Sequence, residues 1–270
     1  MSLPRLFSLA ALALLACAGV RAEDKPLSFG VLNQQSPALT AERWNPLLRY
    51  LGTRTGTTLQ LRMGKTVQDT DAMMGRGEFD FMFTNHNFRS EYLGMGYKTI
   101  ARWAGEPIHG VIAVAQDSPI QRLEELAGKA VAYPSNDAFA AYAVPVVALD
   151  KAGVRVQEVF AGNQEGGLAQ LKARRVAAAA VNSRFLALYM EREKVRFRPI
   201  WESAAYPDLA VIVHPRVPRE AVDKMRAALL GMKKDPASTE ILARAKSRGF
   251  DPACEKDYEG VRHIYKAIGQ

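Results

Sequence analysis

Short apolar runs alternate along the chain with longer segments of helical period. Between the first two runs, Trp44, Leu47, Leu48 and Leu51 fall at the i, i+3, i+4 and i+7 spacing of one helix face. This alternation predicts an α/β fold with mostly parallel sheets. The predicted strands are LSFGVL (27–32), FDFMFT (79–84), GVIAVA (110–115), KAVAY (129–133), AAAAVN (177–182) and DLAVIV (208–213).

Polar side chains follow the predicted strands. Ligands of α/β sheets bind at the carboxyl ends of the strands, so we expect these side chains to form one site. Amides and hydroxyls donate and accept hydrogen bonds without ionising, which suits a site that holds a small polar molecule rather than transforming it. The alternative is that they are ordinary turn and cap residues. The candidate ligand-binding residues are Gln35, Thr84, Asn85, His86, Ser135, Asn136, Asn163, Gln164 and Asn182.

Two further residues admit two interpretations. Trp44 lies at core spacing on the predicted helix, which favours packing, with a ligand-facing ring as the alternative. Arg184 follows Asn182 and could supply a cation to an anionic ligand, or could be a surface arginine in the first turn of a helix.

The first 22 residues have the pattern of a secretory signal peptide. Arg5 precedes an apolar stretch from Leu6 to Ala18, and Val20-Arg21-Ala22 resembles a cleavage site. We therefore expect export to the periplasm. The alternative is a lipoprotein anchored through Cys17, but Leu15 fits that signal poorly, which favours cleavage after Ala22.

Composition and the absence of known motifs exclude several classes of function. Loss of residues 1–22 with Arg5 and Arg21 lowers the formal net charge from +8 to +6, and the remaining basic residues are interspersed with acids, so no nucleic-acid partner is expected. Only Cys254 remains, which excludes an intramolecular disulfide and a CxxC metal site. The chain has no G-x-S-x-G, HExxH or P-loop motif. We expect neither enzymatic activity nor a metal or cofactor.

Four segments, in order, resemble the phosphate/phosphite/phosphonate-binding periplasmic proteins of ABC transporters. They begin in the first predicted strand and continue to the fifth, so that the resemblance covers nearly the whole mature chain. The segments are LSFGVLNQQSPALTAERWNPLLRYLGTRTG, GRGEFDFMFTNHNF, DSPIQRLEELAGKAVAYPSNDAF and FAGNQEGGLAQLKARRVAAAAVNS.

The resemblance implies a two-lobed type II periplasmic binding protein, in which each lobe is a mostly parallel sheet flanked by helices. Two crossover strands, GVIAVA and DLAVIV, would join lobe 1 (residues 23–115 and 212–270) to lobe 2 (residues 116–211). The implied function is capture of a small oxyanion such as phosphate, phosphite or phosphonate by a monomer, which delivers it to a permease in the inner membrane. A periplasmic sensor that reports to a membrane kinase, and a carboxylate or zwitterion as ligand, remain as alternatives.

The resemblance also maps the ligand site. The family's Ser-Thr-Ser-Gly turn corresponds to Ala138-Phe139-Ala140-Ala141, its binding histidine to Gln164, and a binding tyrosine to Thr84. Several charge-assisted donors of a phosphonate site are thus replaced, and the sequence leaves the identity of the ligand open.

Overall fold

The computed structural model describes residues 25–270 of the chain. The predicted signal peptide and Cys17 lie outside the described residues. Among the residues that are described, none of the helices combines the length and the hydrophobicity that crossing a bilayer requires.

The chain builds most of one lobe, crosses to build a second lobe, and returns to complete the first. It begins with β1 (Leu27–Val31), α1 (Pro37–Thr55), β2 (Leu59–Arg62), α2 (Val67–Gly75), β3 (Phe81–Thr84) and β4 (Lys98–Trp103). The second lobe contains β5 (Gly110–Ala115), β6 (Ala130–Tyr133), α3 (Val144–Lys151), β7 (Gln157–Phe160), α4 (Gln164–Lys172), β8 (Ala178–Asn182), α5 (Ser183–Glu193) and β9 (Phe197–Glu202). The returning chain adds β10 (Ala210–Val213), α6 (Arg219–Gly231), α7 (Thr239–Arg244), β11 (Phe250–Asp251) and α8 (Glu259–Ala267).

The strands form two sheets, in the orders β11-β4-β10-β3-β1-β2 and β7-β6-β8-β5-β9. Strand β1 pairs in parallel with β2 and β3, and β6 pairs in parallel with β7 and β8. The strands that follow each crossing, β5 and β10, pair antiparallel with both neighbours. Each of these two strands enters its sheet directly from the other lobe. Parallel pairing would require a crossover connection of the βαβ type, which these strands do not have. The predicted two-lobed α/β class is confirmed, but the sheets are mixed rather than mostly parallel.

The predicted crossover strands each lie within one lobe. All six residues of β5 are buried between β8 and β9 of the second sheet, and β10 lies between β3 and β4 of the first. The chain instead crosses in the segments 104–109 and 203–209. Assigning residues 110–115 to the first lobe was therefore wrong, because a continuous apolar run fits a central strand as well as a crossing strand.

Helix α1 follows the apolar period that predicted it. Trp44, Leu47 and Leu51 are 3, 0 and 0 % exposed and pack in the core of the first lobe. The helix ends at Gly56, whose φ of +70° is the left-handed conformation that glycine adopts at helix ends without strain. Trp44 therefore packs in the core, as the favoured interpretation has it, and its ring also lines a cavity between the lobes.

Candidate functional site

The carboxyl ends of β1 and β3 bury four of the predicted side chains. Thr84, Asn85 and His86 are 0, 3 and 1 % exposed, and Gln35 is 4 % exposed. The Thr84 hydroxyl accepts a hydrogen bond from the His86 backbone N–H at 3.0 Å. Strands β1 and β3 are parallel neighbours, so their ends lie side by side at one edge of the sheet.

Two helix starts in the second lobe account for three more predicted residues. The Asn163 side-chain oxygen accepts from the backbone N–H of Gly166 at 2.8 Å and caps α4. The Asn182 oxygen accepts from the N–H of Phe185 at 2.6 Å and caps α5. The Gln164 oxygen accepts from the Asn182 N–H at 2.8 Å and joins the start of α4 to the end of β8. The Asn163 and Asn182 oxygens thus have the capping role that the sequence left as an alternative, whereas the Gln164 oxygen makes a tertiary contact.

The last two predicted residues, Ser135 and Asn136, differ in burial. Ser135 is fully buried, and its hydroxyl accepts from the Asp137 N–H at 3.3 Å. Asn136 is exposed, and its carbonyl accepts from the Gln270 side-chain amide at 2.9 Å. Asn136 therefore lies on the surface, apart from the other predicted residues.

The segment that corresponds to the family's hydroxyl-bearing turn forms a π-helical turn. The Ala143 N–H donates to the Ala138 carbonyl at 2.9 Å, five residues back. Phe139 is 2 % exposed and packs against Tyr206 and Tyr265, with ring centroids 4.9 and 5.3 Å away. Its ring thus anchors the turn to α8 and to the second crossing, and this turn offers backbone N–H groups but no side-chain donor to a ligand.

A cavity of about 30 Å³ lies between the lobes, and we call it the arginine cavity. Its first-lobe wall includes an aromatic cluster in which Trp44 lies 4.8 Å from Phe83 and 5.4 Å from Trp103, between ring centroids. The lining residues are Gln34, Arg43, Trp44, Phe83, Trp103, Asn182, Arg184, Phe185, Leu188, Asp208 and Ala245.

An ion pair crosses one end of this cavity. The Arg184 guanidinium lies 2.9 Å from the Asp208 carboxylate and 5.0 Å from the centre of the Trp103 ring, over which it stacks. Burial raises the pKa of Asp208, and the attraction of Arg184 opposes that rise. Arg184 therefore already has an acidic partner within the protein.

Arg43 and Trp103 also line this cavity, and their hydrogen-bond donors have no acceptor or ion-pair partner among the described residues. Among residues 25–270, Arg43 makes no ion pair, and the indole N–H of Trp103 has no acceptor although that side chain is 5 % exposed. Burial lowers the pKa of Arg43, as do the nearby cations Arg184 and Arg192. The carboxylates of Glu165 and Glu42 raise the pKa of Arg43, but each by less than the burial and the cations lower it. A negatively charged acceptor in this cavity would satisfy both donors.

A second set of charges lies between the lobes, and we call Asp71, His86, Arg89 and Asp137 the charge cluster. Arg89 lies 2.8 Å from Asp137 in the second lobe and 3.5 Å from Asp71 in the first. His86 Nδ1 lies 2.8 Å from Asp71. Burial raises the pKa of Asp137, an effect that Arg89 partly offsets. The carboxylates here are compensated by cationic or hydrogen-bonding groups of the protein itself.

Direct contacts join the lobes beside the arginine cavity. The Glu165 carboxylate accepts from the Ser36 backbone N–H at 2.7 Å, and the Glu165 N–H donates to the Gln34 carbonyl at 3.2 Å. In the second lobe the same carboxylate pairs with Arg192 at 2.5 Å. The two lobes are therefore in direct contact beside the cavity, which agrees with its small volume.

The described part of the chain contains no group of three histidine, cysteine, aspartate or glutamate residues that could hold a metal ion. His86 Nε2 has no hydrogen-bond partner among those residues and is buried. It is the one ring nitrogen of the predicted site that could still contact a ligand through a hydrogen bond.

Sequence reasoning named Arg184 as a possible cation but missed the other residues that carry charge between the lobes. Arg43 precedes Trp44 on α1, Arg89 follows the loop of Asn85 and His86, and Asp137 directly follows Asn136 in its loop. The position of these residues next to or within the predicted polar loops is the sequence signal that could have identified them. Nothing in the sequence, however, indicates that Trp103 on β4 lines the cavity.

Solved structures similar to this chain share its fold at low sequence identity. PhnD1 from Prochlorococcus marinus, in complex with methylphosphonate, aligns with a TM-score of 0.80 and 15% identity over 91% of this chain and 98% of that chain. A binding protein component of a phosphonate ABC transporter from Pseudomonas aeruginosa aligns with a TM-score of 0.79 and 16% identity over 89% and 86%. XAC2383 from Xanthomonas citri, bound to ATP, aligns with a TM-score of 0.70 and 17% identity over 90% and 96%.

No curated protein sequence matches the chain significantly. The family described as "ABC transporter, phosphonate, periplasmic substrate-binding protein" matches residues 29–258, which covers most of the chain. The chain therefore belongs to this family of periplasmic substrate-binding proteins, as its four sequence segments predicted.

Proposed function

We propose that this protein binds a small oxyanion of the phosphonate, phosphite or phosphate class in the arginine cavity and presents the closed form to an ABC permease. It would act as a monomer in the periplasm after loss of residues 1–22. Binding would shift an equilibrium between open and closed lobes, and the permease would read the closed form.

The observation that carries this proposal is the unpaired guanidinium of Arg43. It faces a cavity between the lobes, and no described carboxylate pairs with it. A partly buried cation without a counter-ion favours an anionic ligand, since charge-assisted hydrogen bonds are the strong ones. The indole N–H of Trp103 would add a neutral donor to the same ligand.

The relatives support an oxyanion as the ligand. PhnD1 was solved with methylphosphonate and XAC2383 with ATP, so the fold holds phosphorus oxyanions of different size. This chain lacks the hydroxyls of the family's turn at positions 138–141. We infer that Arg43 and Trp103 replace them as donors, while Arg89 neutralises Asp137 beside that turn.

The nine side chains predicted from the sequence have different roles in this proposal. Asn182 lines the arginine cavity and remains a candidate ligand contact there. The other buried ones do not line this cavity and are kept as candidates near it: Gln35, Thr84, Asn85, His86, Ser135 and Gln164. Asn163 supports the site by capping α4, and Asn136 has no part in it.

Thermal-shift and calorimetric titrations of residues 23–270 test the proposal. Methylphosphonate, phosphite and phosphate should raise the melting temperature, because a ligand that binds only the folded state stabilises it. Arg43→Gln should weaken that binding by about 1.5 to 3 kcal/mol, roughly 10- to 150-fold, as expected for a hydrogen bond to a charged group.

Arg49→Gln is the matched control, because Arg49 lies on the same helix and is exposed. It should leave both binding and stability unchanged. If sulfate, carboxylates or zwitterions bind and phosphorus oxyanions do not, the ligand class is wrong. Equal affinity in wild type and Arg43→Gln would remove Arg43 from the site.

A further inference from the structure

A second, larger cavity opens beside the arginine cavity and shares its Arg43, Phe185 and Leu188 walls. Its volume is about 240 Å³, against about 30 Å³ for the arginine cavity. Helix α1 of the first lobe forms one side and helix α5 of the second lobe the other. We call this space the basic groove, after Arg43, Arg192, Arg244 and Lys246 on its walls.

Two of these four cations are engaged by acids of the protein. Arg192 pairs with Glu165 at 2.5 Å and with Glu193 at 3.0 Å. Lys246 pairs at 2.9 Å with Glu191, the one carboxylate that lines the groove.

The other two cations, Arg43 and Arg244, make no ion pair with any residue between 25 and 270. The groove therefore has more positive than negative charge on its walls. The crowding of cations is also reflected in Arg43, whose pKa is lowered by burial and by Arg184 and Arg192. An anion in the groove would relieve this repulsion.

The remaining walls are suited to an organic chain. Phe185 and Leu188, which also line the arginine cavity, and Tyr189 of the same helix α5 supply apolar surface. A ligand that extends from the arginine cavity past Arg43 would therefore contact both apolar and cationic walls.

We propose that the ligand carries a second negative charge on a short organic substituent, and that the basic groove binds this substituent while the arginine cavity binds the phosphorus oxyanion. The ligand class is thus a phosphonate or phosphate ester with a distal carboxylate or phosphoryl group. This inference rests on the function proposed above, and it names the part of the molecule that distinguishes the ligand from phosphate or an alkylphosphonate.

Two ligands that differ only at the distal end test the proposal. Propylphosphonate ends in a methyl group, and 3-phosphonopropionate ends in a carboxylate on a chain of the same number of carbons. Titrated calorimetrically at low salt, where charge interactions are least screened, 3-phosphonopropionate should bind about tenfold more tightly to the wild-type protein. Arg244→Gln should reduce this preference about threefold or more, as suits an exposed charge pair.

Arg226→Gln is the matched control, since Arg226 is an exposed arginine on α6, away from the groove. It should leave both affinities unchanged. Equal binding of the two ligands, with no effect of Arg244→Gln, would overturn the groove proposal and leave the proposed function intact. A loss by Arg244→Gln of both affinities alike would also overturn it, because Arg244 would then act on the shared head group or on the fold. If neither ligand binds, the proposed function itself fails.

Discussion

The charge cluster and the arginine cavity both lie between the lobes, but the central cation of the first has acidic partners and that of the second has none among the described residues. In the charge cluster, Arg89 faces acids from both lobes, Asp71 and Asp137, and is itself 7 % exposed. In the arginine cavity, Arg43 faces no described acid at ion-pair distance, and the Trp103 N–H has no acceptor. The protein thus supplies the anions for one cation and leaves the other without a partner.

This difference assigns different tasks to the two regions. Buried charges that compensate one another hold elements together, and removing one of them is costly because its partners stay buried. A cation left without an internal partner gains one when an anionic ligand arrives. We therefore expect variants of the charge cluster to change stability, and variants of the arginine cavity to change ligand binding.

The largest effect should come from Arg89→Met. Methionine keeps much of the apolar stem but removes the charge, so that Asp71 and Asp137 stay buried without their cation. The free energy of unfolding should fall by about 3 to 5 kcal/mol, as is typical when one member of a buried pair is removed. Urea-induced unfolding of the purified protein measures this loss.

Arg76→Met serves as the control for Arg89→Met. The Arg76 side chain is 61% exposed and pairs with Glu78, and exposed pairs of this kind contribute less than about 1 kcal/mol. If Arg89→Met costs no more than Arg76→Met, the charge cluster does not hold the lobes, and the contrast with the arginine cavity disappears.

A smaller effect is expected from Gln164→Ala, which removes a link between α4 and β8. The Asn182 N–H loses its acceptor, and an unsatisfied buried donor costs about 1 to 3 kcal/mol of stability. The Gln164 side-chain nitrogen is a neutral donor, so its loss should weaken anion binding by only about 0.5 to 1.5 kcal/mol, less than Arg43→Gln.

Gln170→Ala, on the same helix and only partly buried, should change neither quantity. A stability loss in Gln164→Ala without any change in affinity would make Gln164 a residue of the scaffold alone. An affinity loss larger than that of Arg43→Gln would move the centre of the site from the arginine cavity to the start of α4.

Local patterns predicted what depends on neighbours along the chain. The period of Trp44, Leu47 and Leu51 gave α1, because a helix face is set by residues within a few positions of one another. The order of the strands along the chain predicted an α/β fold for the same reason.

Pairings between distant segments could not be predicted in this way. The ends of β5 and β10 look like those of any buried strand, so the sequence assigned them to crossings that the chain makes elsewhere. Arg89 and Asp137 meet only because the lobes do, and neither residue type reveals its partner. The polar loop residues could be predicted because each follows a strand. Trp103, by contrast, lies within strand β4, and nothing in the sequence around it indicates that its side chain lines a cavity.

The smallest effect, but the one with the clearest sign, concerns Asp137→Asn. Burial raises the pKa of Asp137 above its value in the unfolded chain, Arg89 and His86 lower it, and Asp71 and Glu91 raise it further. An acid with a raised pKa in the folded state gives its full contribution to stability below the unfolded pKa, about 3.9, and loses it as the pH rises through the folded value. Asparagine does not titrate, so the variant should gain stability relative to the wild type between pH 4 and neutral pH.

Unfolding in urea at pH 4, 5, 6 and 7 measures that trend, and Asp80→Asn provides a control of opposite sign. Burial acts to raise the pKa of Asp80, but hydrogen bonds from Ser28 and Arg216 outweigh it and lower the pKa. Asp80→Asn should therefore lose stability relative to the wild type as the pH rises from 3 towards the unfolded pKa of about 3.9, so a measurement at pH 3 is added for this control. If Asp137→Asn follows the same direction as Asp80→Asn, the attraction of Arg89 exceeds the cost of burial. The charge cluster would then stabilise the closed lobes through Asp137 itself, and not only through the cation that Asp137 shares with Asp71.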